Sequence, residues 1–389
     1  MTHRIASSLL LLLLPILALA QRLTPEQTGG VYYAYPVEEA PRIAIPEGFQ
    51  LFYISHYGRH GSRWIDRKER YNWTKKQFAD DDNLTEAGKE TKRKVKAICR
   101  NGKPHAGDLT PLGKEQHRRI ARRMAQNYPE VFQGEDAVVT ARSSISGRCR
   151  ASMLAFCKEL RTLCPQLKVR PQTKKRFMAY ISHDTEELKA LTKRTKIAPK
   201  TPTDRFISNL FINPDAIKDP SRLIYELHTM ASDMQDIPLP ISLWDIFTYE
   251  EMMGVHDANN ERMTITCRQH PDNEGIPARA ALSLWEHIVE TADEYIHNGQ
   301  HGASLIFGHD TPLCRLMTLL QLSLPGDGME DILPMGANLQ ILFMKNMSGE
   351  VYVAFLHNEC QQFLPIKSTI PGFYHWDDVK SFVSEVALK

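Results

Sequence analysis

Three short apolar runs, each ending abruptly in a polar loop, constrain this chain more than any other feature. Leu51–Ile54 leads into HYGRHGSRW (His56–Trp64), Asp136–Ala141 into RSSISGRCRAS (Arg142–Ser152), and Ala303–Phe307 into GHDTPL (Gly308–Leu313). Runs of this length read as buried strands, and a helical pattern follows each loop. Strand, loop and helix, repeated, predict an α/β fold with a mostly parallel sheet flanked by helices. Such sheets bind ligands beyond the carboxyl ends of their strands.

Other elements follow from local chemistry. LTEAGKE (Leu84–Glu90) and LTPLGKE (Leu109–Glu115) each offer a capping threonine, and Pro111 suits a first helical turn. Helices are expected over Glu86–Arg100 and Pro111–Asn127, and the similarity reads as repeated helix-start chemistry, not duplication. A helix starts near Arg148, a strand covers Leu167–Arg170, and another helix runs from Thr311 to about Leu322. Gln340–Lys345 and Val351–Leu356 read as a hairpin, and the tail with Trp376 as a covering helix. Gln21–Gly48 reads as an irregular arm carrying Tyr32, Tyr33 and Tyr35. Residues 185–297 are mostly helical, broken by prolines, and read as an inserted helical cap with Trp244 and Trp285 as core anchors. The core is then 21–184 together with 298–389.

Met1–Ala20 has a weakly basic start, the apolar run Leu9–Leu14 and an A-x-A end, the pattern of a secretory signal peptide cut after Ala20. The expected product is secreted or periplasmic, without a membrane anchor, because no later stretch approaches the ~20 apolar residues of a span. A net charge of +2 argues against a nucleic-acid binder with a basic surface. Seven cysteines, an odd number without a CxxC pair, give no zinc signature. Basic clusters at Arg67–Lys76 and Lys174–Arg176 read first as solvated faces, and as collectors of a polyanion only if they border the site.

Bringing the three strand ends together collects Arg59, His60, Arg63, Arg148, His309 and Asp310. Arginine forks match phosphate oxygens two at a time, and Gly58 and Gly61 allow a tight turn and close approach. Helix N-termini after Ser62, Arg148 and Thr311 add N–H groups and positive dipole ends. The ligand such a pocket fits is a small phosphomonoester. A neutral His60 can attack phosphorus, and Asp310 can protonate the departing alcohol. The arginines supply the neutralising charge, so neither a metal nor another cofactor is expected. Arg67 is placed where it can touch a further phosphate.

RHGSR (Arg59–Arg63) with the later HD (His309-Asp310) resembles the histidine acid phosphatases, the second branch of the histidine phosphatase superfamily. That family includes acid phosphatases, phytases and multiple inositol polyphosphate phosphatases. LTPLGKEQH (Leu109–His117) and RSSISGRCRAS match family segments in the same order. The resemblance implies a phosphoglycerate-mutase-like core with an inserted cap. It makes His60 the phosphorylated nucleophile, Arg59, Arg63 and Arg148 phosphate clamps, His309 a second phosphate-binding histidine and Asp310 the proton donor. Arg142 is the weaker candidate for the third arginine. Ile65 stands where the family often has proline, and HD resembles the acid phosphatase and phytase pattern more than the histidine-alanine-glutamate common in inositol polyphosphate phosphatases. The expected function is a phosphomonoesterase acting on inositol or sugar phosphates; a phosphomutase and a non-catalytic phosphate-ester binder are the alternatives.

Overall fold

The computed structural model describes residues 22–134, 136–322 and 332–388, so the leader expected at Met1–Ala20 lies outside the described residues. Eight strands form one sheet: β1 (Gln50–Arg59), β2 (Val138–Ser143), β3 (Lys168–Thr173), β4 (Gly302–Gly308), β5 (Asn338–Lys345), β6 (Val351–His357), β7 (Cys360–Gln362) and β8 (Tyr374–His375). Their order is β3-β2-β4-β1-β5-β6-β7, with β8 paired to β6. β3, β2, β4 and β1 run parallel, and the expected hairpin extends the sheet antiparallel from β1. The α/β class stands, with all three site-bearing strands in the parallel half.

β1 extends beyond its apolar run because both its edges are paired, to β4 and to β5. Ladder hydrogen bonds on both sides carry Ser55, His56 and Arg59 into the interior, where all three are buried. Arg59 is level with Gly308, and Ser143 with Phe307. The three loops therefore leave the sheet at one edge.

Alternation along β1 divides the core. Tyr53 and Tyr57 point to the face covered by the helices Leu282–His297, Asp310–Leu319 and Trp376–Ala387. Ile54 points to the face covered by Pro111–Asn127 and Gly147–Leu163. Trp285 and Trp376 meet edge to face on the first side, and Trp376 also meets Phe343. Trp285 is thus the core anchor expected of it, and half-buried Trp244 packs against a third, helical cluster. That cluster joins Ile65–Cys99 to Phe206–Val255. Apolar packing therefore does not divide at 185 and 297: the helices of 68–102 share a core with the cap, and Leu282–His297 packs on the sheet.

The two L-T-x-x-G-K-E segments prove to be one device used twice. Thr85 and Thr110 cap their helices by accepting the N–H of Gly88 and Gly113, each at 3.0 Å. Thr85 N–H also donates to the Leu210 carbonyl at 3.2 Å, and Thr110 N–H to the Ser62 carbonyl at 2.9 Å. Those same carbonyls press on the glycines: a Cβ on Gly88 would lie 2.0 Å from the Leu210 oxygen, and one on Gly113 2.2 Å from the Ser62 oxygen. Each glycine admits a passing strand of backbone. Gly88→Ala and Gly113→Ala are each expected to lower unfolding free energy by about 1–3 kcal/mol. Only Gly113→Ala, which displaces Ser62, should also weaken binding of inorganic phosphate; urea denaturation and calorimetry on both variants check this.

Candidate active site

His60 leaves the end of β1 with its backbone N–H bonded to the Gly308 carbonyl at 3.0 Å. Its Nδ1 lies 2.9 Å from the Gly61 carbonyl, which can only accept. The proton of the neutral ring is therefore on Nδ1, and Nε2 carries the free lone pair. Burial, then Arg59, Arg148 and Arg63, push the His60 pKa well below its ordinary value. The ring is thereby biased to the neutral form, with the Nε2 lone pair free.

Arg59 is only 1% exposed. It donates to the Leu333 carbonyl at 2.6 Å and pairs with Asp310 Oδ2 at 2.9 Å. Arg63 donates to the Trp64 carbonyl at 2.9 Å and lies over the Tyr32 ring, 5.2 Å from its centroid. Arg148 stands in the first turn of the helix Gly147–Leu163, whose N-terminus has no side-chain cap. The Nε–H groups of Arg59, Arg63 and Arg148 are all buried, and among the described residues none has an acceptor. Burial lowers the pKa of Arg59 against the opposing pull of Asp310, and burial followed by Arg63 lowers that of Arg148. At Arg63 burial is outweighed by neighbouring Tyr32, Asp233 and Asp66, which raise its pKa, so the three charges differ in how far they are balanced. The converging donors define a site for an anion.

His309 caps the helix Asp310–Leu319, and its Nε2 lies 3.2 Å from the Ser144 hydroxyl. Ser144 in turn accepts the Ser146 N–H at 3.1 Å. The Tyr57 hydroxyl accepts the His309 N–H at 3.2 Å, and Cys149 Sγ donates to the Gly308 carbonyl at 3.1 Å. Burial first, then Arg148, lower the His309 pKa to about 4, so it meets an anion as a neutral donor. The His60 and His309 rings stand nearly perpendicular, with centroids 5.6 Å apart. Asp310 accepts the Thr311 N–H at 2.8 Å. Burial raises its pKa, but Arg59 and His309 outweigh that and bring it down to about 2.

All six residues of the expected cluster thus gather at the one sheet edge. Arg67 does not join them: its side chain is 71% exposed and pairs with Asp66. Arg142 points to the opposite face of the sheet, held by His287 and Tyr180. His56 and His117 are fully buried rings that pack beside Phe307. No helix begins after Ser62; the chain stays extended, with Arg63 bridged to Leu109, until the helix Lys68–Gln77. Neither Gly58 nor Gly61 has positive φ. Gly61 is needed for contact, because a Cβ there would lie 2.4 Å from the Gly113 carbonyl.

Sequence reasoning missed the groups that hold the loop from behind. Ser62 N–H donates to Gln116 Oε1 at 2.8 Å, and Ser62 Oγ donates to Asp236 Oδ1 at 2.6 Å. Asp233 accepts the Ile65 N–H at 3.3 Å. Burial, then Arg63, sets the balance that leaves Asp233 at about 7, and burial together with Asp233 raises Asp236 well above the carboxylate range. Both acids come from the region read as a cap. Tyr32 comes from the arm, and Arg70 is clamped by Glu226, Tyr32 and Thr229. Ser144 and Gln116 lie inside motifs that the sequence singles out; Tyr32, Asp233 and Asp236 carry no local signal.

Among the described residues no group of three or more His, Cys, Asp or Glu is placed to hold a metal ion, and no helix is long and apolar enough to cross a membrane. Ser144→Ala is expected to weaken binding of inorganic phosphate about 2–10-fold, the worth of one hydrogen bond. Ser144→Thr should retain wild-type affinity. Isothermal titration of both variants decides whether Ser144 orients His309.

No family model matches the chain, and no curated protein matches it in sequence. Solved structures do match in shape. A multiple inositol polyphosphate phosphatase of Bifidobacterium longum, solved with inositol hexasulfate, superposes with a TM-score of 0.71 at 16% identity, covering 92% of this chain and 97% of its own. The phytase of D. castellii gives 0.66 at 14% identity, covering 93% and 85%. The phytase of Hafnia alvei gives 0.55 at 16%, covering 88% and 98%. The likeness spans the sheet and the helical region together. The chain therefore has the fold of the histidine acid phosphatases, the phytases and inositol polyphosphate phosphatases among them.

Proposed function

We propose that this protein is a phosphomonoesterase that hydrolyses phosphate esters through a covalent phosphohistidine on His60, with inositol phosphates as its preferred substrates. The observation that carries the reading is the neutral His60, its Nε2 unprotonated, set among Arg59, Arg63 and Arg148. The fold shared with phytases and inositol polyphosphate phosphatases supports the choice of substrate class. We further propose that the chain is exported, with a leader cut after Ala20.

In the reaction so read, His60 Nε2 attacks phosphorus in line with the ester oxygen, and the P–O bond to the alcohol breaks. The arginines and His309 hold the three equatorial oxygens, where charge accumulates. Asp310 passes a proton to the departing alcohol. Water then attacks the phosphohistidine, Asp310 takes its proton, and inorganic phosphate leaves with the P–N bond broken.

The source of the first proton follows from the charges. Asp310 is depressed to about 2, so it is ionised in the free enzyme throughout the working range. A proton must therefore enter with the ester, whose second pKa is about 6. Inside the site the ester's negative charge competes for Arg59 and raises Asp310, which takes that proton over. The sign is then fixed: above about pH 6 the monoanion is depleted, and kcat/KM should fall with rising pH. A rate that climbs above pH 8 contradicts this role for Asp310.

Phosphate release from inositol hexakisphosphate and p-nitrophenyl phosphate by residues 21–389 tests the function. Turnover of both is expected, with His60→Ala reduced by at least about 10³-fold. Phosphate binding without turnover of either ester would instead identify a binding protein.

A further inference from the structure

Many basic side chains on this surface are paired with acids: Arg122 with Glu159, Arg123 with Glu359, Lys94 with Asp245. Lys174, Lys175 and Arg176 are not. All three are exposed, and among the described residues none has a carboxylate partner. Arg176 lies over the Phe177 ring, 5.6 Å from its centroid, but three adjacent cations without a carboxylate repel one another, so their grouping calls for an explanation.

Their place in the fold supplies one. They follow Thr173, the last residue of β3, which is in register with Ser143 and bonded to its hydroxyl at 2.6 Å. One residue beyond Ser143, Ser144 touches the His309 ring. The segment then turns inward at buried Phe177 and reaches Ile181, whose carbonyl accepts the Tyr57 hydroxyl at 3.1 Å. The same hydroxyl accepts the His309 N–H. Residues 173–181 are thus tied at one end to Ser143, the chain neighbour of Ser144, and at the other to Tyr57, which itself touches His309, and the charged part is exposed between those ties.

Edge-strand protection does not account for the run. β3 is the outer strand, and Lys168 and Arg170 on it are exposed as an edge guard requires. Lys174, Lys175 and Arg176 lie past the last paired residue, where no ladder remains to be guarded.

We propose that Lys174, Lys175 and Arg176 form an auxiliary anion-binding lip that holds a second phosphate of a polyphosphorylated substrate while the first lies among Arg59, His60 and Arg63. The proposal rests on the phosphatase reading. A monophosphate gains nothing from the lip. An ester with several phosphates gains charge–charge attraction that is solvent-exposed and so weakens with salt, whereas the buried arginines are screened far less.

The test compares wild type with Lys174→Gln/Lys175→Gln/Arg176→Gln on inositol hexakisphosphate and p-nitrophenyl phosphate, at low and high salt. For the hexakisphosphate, kcat/KM is expected to drop about tenfold at low salt, the sum of three modest surface pairs, and less at high salt. Turnover of p-nitrophenyl phosphate should stay within about twofold. An unchanged ratio between the substrates, or an equal loss on both, overturns the lip while leaving the phosphatase standing. If wild type turns over neither ester, the phosphatase reading fails. Calorimetric binding of inositol hexakisphosphate against inorganic phosphate by the same two proteins then decides the lip by itself.

Discussion

Guanidinium groups drawn out of water at one sheet edge, Arg59 and Arg63 buried and Arg148 partly so, set the terms for everything packed around them. Arg59, Arg63 and Arg148 converge at one sheet edge, and among the described residues the acid ion-paired with them is Asp310, on Arg59. Holding such charge out of water is expensive unless hydrogen bonds and fixed dipoles compensate. The fold meets the cost locally. Leu333 and Trp64 offer carbonyls, Tyr32 offers its ring to Arg63, and Asp233 and Asp66 stand behind. An anion that takes up the remaining donors binds the folded state alone, so its binding adds to the stability of the fold.

Burial and the same charges account for the two histidines. A ring buried first, and then set among guanidinium groups, does not accept a proton readily, so His60 and His309 stay neutral. For His60 this leaves a lone pair on Nε2; for His309 it leaves a neutral hydrogen-bonding ring. Asp310 answers to the same field in the opposite direction and is held ionised. One environment thus sets three protonation states.

Legibility in the sequence followed the range of the interactions. The three strand–loop–helix units were readable because burial on both faces makes a strand continuously apolar, and because glycine and proline punctuate the loops and helix starts beyond each strand. All six clustered residues sat at those strand ends. Residues whose role depends on distant segments were not readable. Asp236 reaches Ser62 across 174 positions, and Tyr32 meets Arg70 across 38. The expected helix after Ser62 failed for a similar reason: the Ser62–Arg63 backbone is taken up by Thr110 and Leu109, an extended pairing that local propensity cannot foresee. The domain limits were also hidden, because helices 68–102 look like surface helices of the core yet share an apolar cluster with 206–255.

The most direct test of the central claim is whether phosphate becomes covalently attached to His60. Wild-type enzyme is mixed rapidly with excess p-nitrophenyl phosphate, quenched in alkali to preserve a phosphoramidate, digested, and its peptides analysed by mass spectrometry. A phosphoryl group on the peptide containing His60, absent when His60 is replaced by alanine, is the result this account predicts. Turnover with no phosphorylated histidine trapped at any quench time, or with the label on another residue, would contradict it.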